Sequence, residues 1–362
     1  MPRFATLRVV LAGLAWTMAA QGATLPATTR QVVYDKTEQG YRLKVVEAPL
    51  PKPGPHQVLV HMHAISLNRG EIENLAQANP KLQGMIAASD GAGVIVALGP
   101  RAQEFKIGER VTSMYFHDWN DGPPSGEHVR GALGSSMNGV FGDYVVLDES
   151  ALEPIPKSWS DVDAATLPTA GLVAFSAVIS EGQAAPGKIV LVQGTGGVST
   201  FALGLAHGAG AKVIVTSSSD EKLARARQLG ADETINYKTT PEWGARVLEL
   251  TGGHGADVIV EVGGKGTLAQ SDKCLAEAGT LAIIGGITGY DGQFSAANLL
   301  DKGARAVGVL TGSRVRLKEM QAFMTRNGVK PVIEHVYRLE ELDQALEQLR
   351  SGQFMGKILV QL

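Results

Sequence analysis

The chain of 362 residues has one cysteine, Cys274. A single thiol closes no internal disulfide and excludes any structural zinc site built from several thiolates. The stretch around it, Ser271-Asp272-Lys273-Cys274-Leu275-Ala276, has a helical texture, and the residue reads as a small buried hydrophobe rather than a nucleophile. Long runs of basic residues are also missing, and the formal net charge is -3, so composition does not support binding to nucleic acid or to an anionic membrane surface. There is no internal repeat and no low-complexity tract. What the chain has in quantity is glycine, 44 residues, and a hydrophobic share of 44%, enough for sizeable cores. In a protein of mixed helix and strand, extra glycine goes with many tight strand-to-helix turns.

The first residues differ from the rest. Arg3 and Arg8 precede an apolar run from Val9 to Ala20, and Ala20, Gly22 and Ala23 supply small residues suited to cleavage. This is the pattern of a secretory signal, and the run is too short for a stable membrane span. Residues 1–28 are therefore set apart as a signal or extension. Export would place the protein in the periplasm or outside the cell; an uncleaved extension would leave it in the cytoplasm.

From Gln31 to Ser150 the texture is mostly β, with Val58–Ala64, Gly93–Leu98 and Tyr144–Leu147 as strands between Pro/Gly turns. His61 and His63 alternate on the first of these and read as strand residues. From Gly187 to Gly289, short apolar runs (Ile189–Val192, Val213–Val215, Val258–Val260, Leu281–Ile284) alternate with helical stretches such as Ala202–Ala209 and Glu221–Leu229. That rhythm predicts a doubly wound parallel sheet. Ala304–Leu310 reads as a further strand, Glu340–Arg350 as a helix and Lys357–Val360 as a closing strand. Phe116 to Val140 is a long polar loop, either a cover for a substrate cleft or an unstructured excursion.

The most specific feature is Gly194-Thr195-Gly196-Gly197-Val198-Ser199, which follows a four-residue apolar strand and opens a helix. Glycine at 194 permits a sharp turn. Glycine at 196 lets the main chain approach a pyrophosphate with no Cβ in the way, and the helix start offers free N–H groups and a positive dipole end. This predicts a nicotinamide dinucleotide site. The third fingerprint position is Ser199 rather than glycine or alanine. An NAD site usually carries an acidic residue about 20 positions further on, for the ribose hydroxyls. Here the second strand ends in Thr216-Ser217-Ser218-Ser219, followed by Asp220-Glu221-Lys222. Ser217, Ser218 and Lys222 suit a 2′-phosphate, and Asp220, one step late, reads as a helix cap. NADPH is favoured over NADH.

With these motifs in hand, residues 30–362 resemble the medium-chain dehydrogenase/reductase superfamily, and most of all its zinc-free quinone-oxidoreductase and alcohol-dehydrogenase-like branch. The matching stretches are Pro49–Asn68, Ser89-Asp90-Gly91-Ala92-Gly93, Phe105–Val111, Leu167-Pro168-Thr169-Ala170-Gly171, the glycine turn and Glu261-Val262-Gly263-Gly264. The resemblance implies a Rossmann domain (156–299) inserted in a mostly β, GroES-like catalytic domain formed by 29–155 and 300–362. It also implies a cofactor cleft between them and a homodimer formed through the strand at Ala304–Leu310. It places Asn68 and Thr169 beside the nicotinamide and Tyr237 near the adenosine phosphate. Gly263, Gly285, Gly286 and Ile287 fall at the carboxyl ends of later strands, and Lys357 is either a contact to the cofactor phosphates or a solvated lysine at a strand end. Where zinc alcohol dehydrogenases hold their metal, this chain has Asn68, Ser89 and Thr169, so no zinc is expected. His117, Asp118 and His128 are the remaining potential ligands, without diagnostic spacing.

The expected activity is zinc-independent, NADPH-dependent reduction of a quinone, enone or other small-molecule carbonyl. Asn68 is the first candidate to stabilise charge on the substrate oxygen and Arg69 the second, with Tyr115, His117 or solvent as proton source. The alternatives are a metal-free NAD(P)-dependent alcohol dehydrogenase and an NADPH-binding sensor without turnover.

Overall fold

The structure is a computed structural model and describes residues 25–362. The expected signal, Val9 to Ala23, lies outside the described residues. No helix among the described residues is long and apolar enough to cross a membrane.

The chain opens with an antiparallel hairpin, β1 (Thr28–Thr37) and β2 (Gly40–Pro49). It continues through β3 (Gln57–Leu67), β4 (Asp90–Leu98), β5 (Arg110–Ser113), β6 (Tyr144–Asp148) and β7 (Leu152–Pro154). It then builds β8 (Ile189–Gln193), β9 (Lys212–Ser217), β10 (Glu233–Asn236), β11 (Ala256–Glu261), β12 (Leu275–Ile283) and β13 (Arg305–Gly308). Last come β14 (Ile333–Arg338) and β15 (Lys357–Gln361).

Strands β8 to β13 form one parallel sheet in the order β10-β9-β8-β11-β12-β13. This is the doubly wound arrangement the apolar runs predict. Val190 to Val192, Val213 to Val215 and Val258 to Val260 are buried throughout, because helices cover both faces of the sheet. The other large sheet runs β14-β15-β3-β4-β5-β7, with β6 paired to β3. The C-terminal strand β15 lies antiparallel to β3, with Ile358 opposite Leu67. The tail of the chain thus completes the sheet begun before residue 155.

One boundary needs correction. β13 pairs in parallel with β12, so the Rossmann sheet runs past residue 299 and the return to the catalytic domain begins only after Gly308. The run Arg305–Gly308 is a sixth sheet strand because its hydrogen bonds go to Thr280–Ile283, a partner no local pattern could show. The helix Arg314–Asn327 then buries Leu317, Met320 and Met324 in a core shared with Val190, Val213 and Val258 of the parallel sheet and Ala64, Ala92 and Leu359 of the other. That shared core joins the two lobes.

The loop after Phe116 is built in. Phe116, Trp119 and Ala132 form a small buried cluster, and the Trp119 and Asn120 carbonyls accept from Arg314 and Val315 N–H at the start of the crossing helix. Those two amides would otherwise be orphaned at the helix end. Cys274 closes the helix Leu268–Cys274, and burial pushes its thiol up to about 12, leaving it protonated and inert.

Candidate functional site

The turn after β8 runs into the helix Gly197–Gly208. Gly194 takes φ +75°, a conformation that favours glycine. Around a Cβ placed on Gly196 there is nothing within 4 Å, so open space stands where the main chain would meet a ligand. Ser199, the departure from the usual fingerprint, is accommodated because its buried hydroxyl donates to the Gln193 carbonyl at 2.7 Å. The Gly356 N–H donates to Thr195 O at 3.0 Å, tying the turn to the C-terminal segment of the other lobe.

Between the lobes lies a cleft of about 630 Å³ at the carboxyl ends of the parallel strands, where this architecture binds ligands. Asn68, Arg69, Gly194, Thr195, Gly196, Gly197, Val198, Ser217, Ser218, Lys222, Tyr237, Gly285, Ile287 and Lys357 all line it. Thr169, Gly263 and Gly286 do not. The Thr169 hydroxyl donates to Asp90 Oδ1 at 2.6 Å, the Gly263 N–H donates to Glu261 Oε1 at 2.9 Å, and Gly286 lies against the Tyr290 ring. Their neighbours Ala170, Val262, Gly285 and Ile287 face the cleft instead.

At the far end of the cleft, where β9 stops, no aspartate or glutamate is among the lining residues. Asp220 Oδ1 accepts from Asn236 Nδ2 at 2.7 Å. Its expected role as a cap is corrected: Ser219 is the N-cap of the helix Asp220–Gln228, its hydroxyl accepting from Lys222 N–H. The shorter side chain at the position before the helix reaches that amide, whereas Asp220 already sits in the first turn. Lys222 Nζ donates to the Gly352 carbonyl at 2.9 Å, and burial lowers its pKa below the ordinary lysine value. Arg350 also lines this end and adds a second cation. No spacing in the sequence marks it, since it belongs to a helix of the other lobe, Leu342–Ser351.

At the opposite end, Asn68 precedes the helix Arg69–Ala76. Its backbone N–H donates to Glu71 Oε2 at 2.5 Å, the reciprocal half of a capping box that the spacing Asn68-x-x-Glu71 could have revealed. Lys357, only 3% exposed, donates from Nζ to Leu67 O at 2.6 Å and to Asn68 Oδ1 at 2.5 Å. The amide nitrogen of Asn68 is buried and has no hydrogen-bond partner among the described residues. Glu71 is buried as well, and desolvation raises its carboxyl to about 7. Arg69 lines the cleft, but its guanidinium is exposed and its Nε donates to Glu73 one helical turn on, at 2.9 Å. Neither Tyr115 nor His117 lines the cleft. Burial pushes the Tyr115 phenol up to about 12, with the charges of Glu71 and Asp90 adding to it, and His117 sits 3.2 Å from Asp118. His61 stacks on Tyr144 and His63 Nδ1 lies 2.6 Å from Asp161, while His128 stacks on Trp119, so these imidazoles have local partners.

The three positions set against the metal site of zinc alcohol dehydrogenases, Asn68, Ser89 and Thr169, do not suit zinc. The Ser89 and Thr169 hydroxyls both donate to Asp90 Oδ1, and the Asn68 oxygen is occupied by an ammonium group. None of the three offers a thiolate, imidazole or carboxylate. Among the described residues no group of three or more His, Cys, Asp or Glu could hold a metal ion.

A glycine turn opening into an interlobe cleft, on a doubly wound sheet joined to a mostly antiparallel one, defines a two-lobed dinucleotide-dependent oxidoreductase. Residues 54–157 match the family model of the alcohol dehydrogenase GroES-like domain, and residues 197–326 match that of the zinc-binding dehydrogenases. The chain is 38% identical to a zinc-type alcohol dehydrogenase-like protein of Schizosaccharomyces pombe, over 92% of this chain and 99% of that one. A solved alcohol dehydrogenase from Sinorhizobium meliloti superposes with a TM-score of 0.88 at 37% identity, covering 93% of this chain and 100% of its own. An NAD-dependent alcohol dehydrogenase structure follows at 0.83 and 34%, covering 92% and 99%. The chain belongs to the medium-chain dehydrogenase/reductase superfamily and is an NAD(P)-dependent oxidoreductase.

Proposed function

We propose that the protein is a zinc-independent, NADPH-dependent reductase of a conjugated carbonyl, a quinone or an enone. The observation that carries this reading is Asn68, a cleft-lining residue whose buried amide nitrogen has no partner among the described residues, at a site where Asn68, Ser89 and Thr169 offer no thiolate, imidazole or carboxylate. When bound, the nicotinamide supplies a hydride. The protein holds the pyrophosphate at the start of the helix Gly197–Gly208, excludes water between its lobes, and offers Asn68 Nδ2 to the substrate oxygen as negative charge develops there. Ser217, Ser218, Lys222 and Arg350, with no free carboxylate among them, support the 2′-phosphate preference.

A substrate panel tests the reading. Quinones and enones should be reduced with NADPH without added metal and after chelator treatment. Turnover confined to simple alcohols, or lost on chelation, would overturn it. The second reading, a metal-free alcohol dehydrogenase, takes only its reaction class from the names of the relatives, which are zinc-type alcohol dehydrogenase-like proteins, and is decided by the same panel. Lys222→Ala should raise the KM for NADPH on the order of tenfold and leave that for NADH unchanged, as steady-state kinetics with both cofactors would show.

We further place a homodimer contact on the free edge of β13, beside Leu300 and Leu310, which are 81% and 47% exposed. For location, we propose export through residues 1–28, to be checked by sequencing the N-terminus of the protein isolated from cell fractions. NADPH is a cytoplasmic currency, so recovery of an uncleaved chain from the cytoplasm would withdraw the export proposal.

A further inference from the structure

Lys357 is the first residue of the last strand, and its long side chain is buried. Its stem passes the start of the helix Gly197–Gly208, so close that a Cβ on Gly197 would fall 2.6 Å from Lys357 Cδ. Its ammonium continues beyond, against Leu67 and Asn68. It makes no ion pair among the described residues, although Glu71 and Asp90 are near enough for their charges to offset part of the pKa lowering that burial causes. A buried ammonium without a salt bridge is costly to keep, so the two oxygens it serves need explaining.

We propose that Lys357 is a positioning residue: it orients and polarises the Asn68 side-chain amide so that Nδ2 presents a fixed N–H donor to the substrate oxygen. An ammonium group can only donate, so the amide atom facing it must be Oδ1, and Nδ2 is necessarily the atom turned away. Glu71 holds the other side of the same residue through the Asn68 backbone N–H. Positive charge at Oδ1 draws electron density from the amide and strengthens the N–H as a donor. The gain is greater toward an oxyanion than toward a neutral carbonyl, so it appears in the transition state rather than in ground-state binding. This inference rests on the reductase reading for its substrate, but the contact itself does not.

The experiment uses the full-length protein with Lys357→Met, Asn68→Ala and the double variant, at saturating NADPH and with whichever carbonyl the wild type turns over. Lys357→Met should lower kcat on the order of 10- to 100-fold, somewhat less than loss of the donor itself, while the substrate KM and the Kd for NADPH change by less than about threefold. In the Asn68→Ala background the same substitution should change kcat by less than about threefold, because its effect passes through Asn68. Undiminished kcat with a Kd for NADPH weakened in its place would make Lys357 a phosphate ligand and overturn the proposal, as would additive losses in the double variant. A second readout needs no turnover. The Asn68 side-chain amide resonance, assigned by its loss in Asn68→Ser, should move in Lys357→Met; an unmoved resonance also overturns the proposal. If Lys357→Met does not fold, Lys357→Arg keeps the charge while shifting the donor, and its amide resonance is read in the same way. A wild type inactive on every carbonyl would sink the reductase reading alone, leaving the resonance to decide the contact.

Discussion

Gly196→Val should abolish tight NADPH binding while leaving the fold in place. The position has φ -75° and ψ -171°, extended backbone that any residue adopts, and a Cβ there meets nothing within 4 Å. The side chain would project only into the cleft. Valine is a poorer helix N-cap than glycine, which costs about 1 kcal/mol at most. A pyrophosphate that needs the bare main chain at this point loses its approach. The Kd for NADPH should rise on the order of a hundredfold, about 2.7 kcal/mol, with little change in the melting temperature. Gly194 is a useful contrast. With φ +75°, a substitution there strains the backbone, so its loss of binding would come with loss of stability. Fluorescence titration beside thermal denaturation separates the two. Unchanged affinity in Gly196→Val would remove the turn from the cofactor site.

Asn68→Ala should lower kcat on the order of a hundredfold or more, with the Kd for NADPH little altered. Removal of the side chain takes away the unpaired Nδ2 and also leaves the Lys357 ammonium with only the Leu67 carbonyl. Asn68→Asp should be worse for catalysis than alanine. A carboxylate would still accept from Lys357, which preserves the packing, but it would put negative charge where the substrate oxygen gains it. Single-turnover rates at saturating NADPH check both variants. A kcat within threefold of the wild type in Asn68→Ala would mean that charge on the substrate oxygen is stabilised elsewhere.

The strand, glycine turn and helix at 189–208 were readable because each is a local pattern: a continuous apolar run, a backbone conformation that favours glycine, and a free helix end. The cores of β3, β4, β6, β8, β9, β11 and β15 follow from the same short-range periodicities, as does the unsuitability of Asn68, Ser89 and Thr169 as zinc ligands, which is a matter of side-chain chemistry alone. In the sequence Ser219 and Asp220 are both plausible capping residues, and only the geometry shows that Ser219 carries the extended backbone of the N-cap. The Rossmann sheet extends beyond residue 299 to β13, which the sequence does not show because a strand of four residues announces neither its partner nor its sheet.

The amino-acid sequence by itself determined the doubly wound sheet, the dinucleotide turn and the absence of a thiolate zinc set, because these depend on residue type and on spacing over a few positions. The tertiary structure alone decided the state of the site. It brings Lys357 to within 2.5 Å of a residue 289 positions earlier, Arg350 to the same cleft end as Lys222, and Thr169 to Asp90 rather than to the cleft. A donor's partner is set by which strands lie side by side, and β15 beside β3 is a long-range choice that no local period encodes.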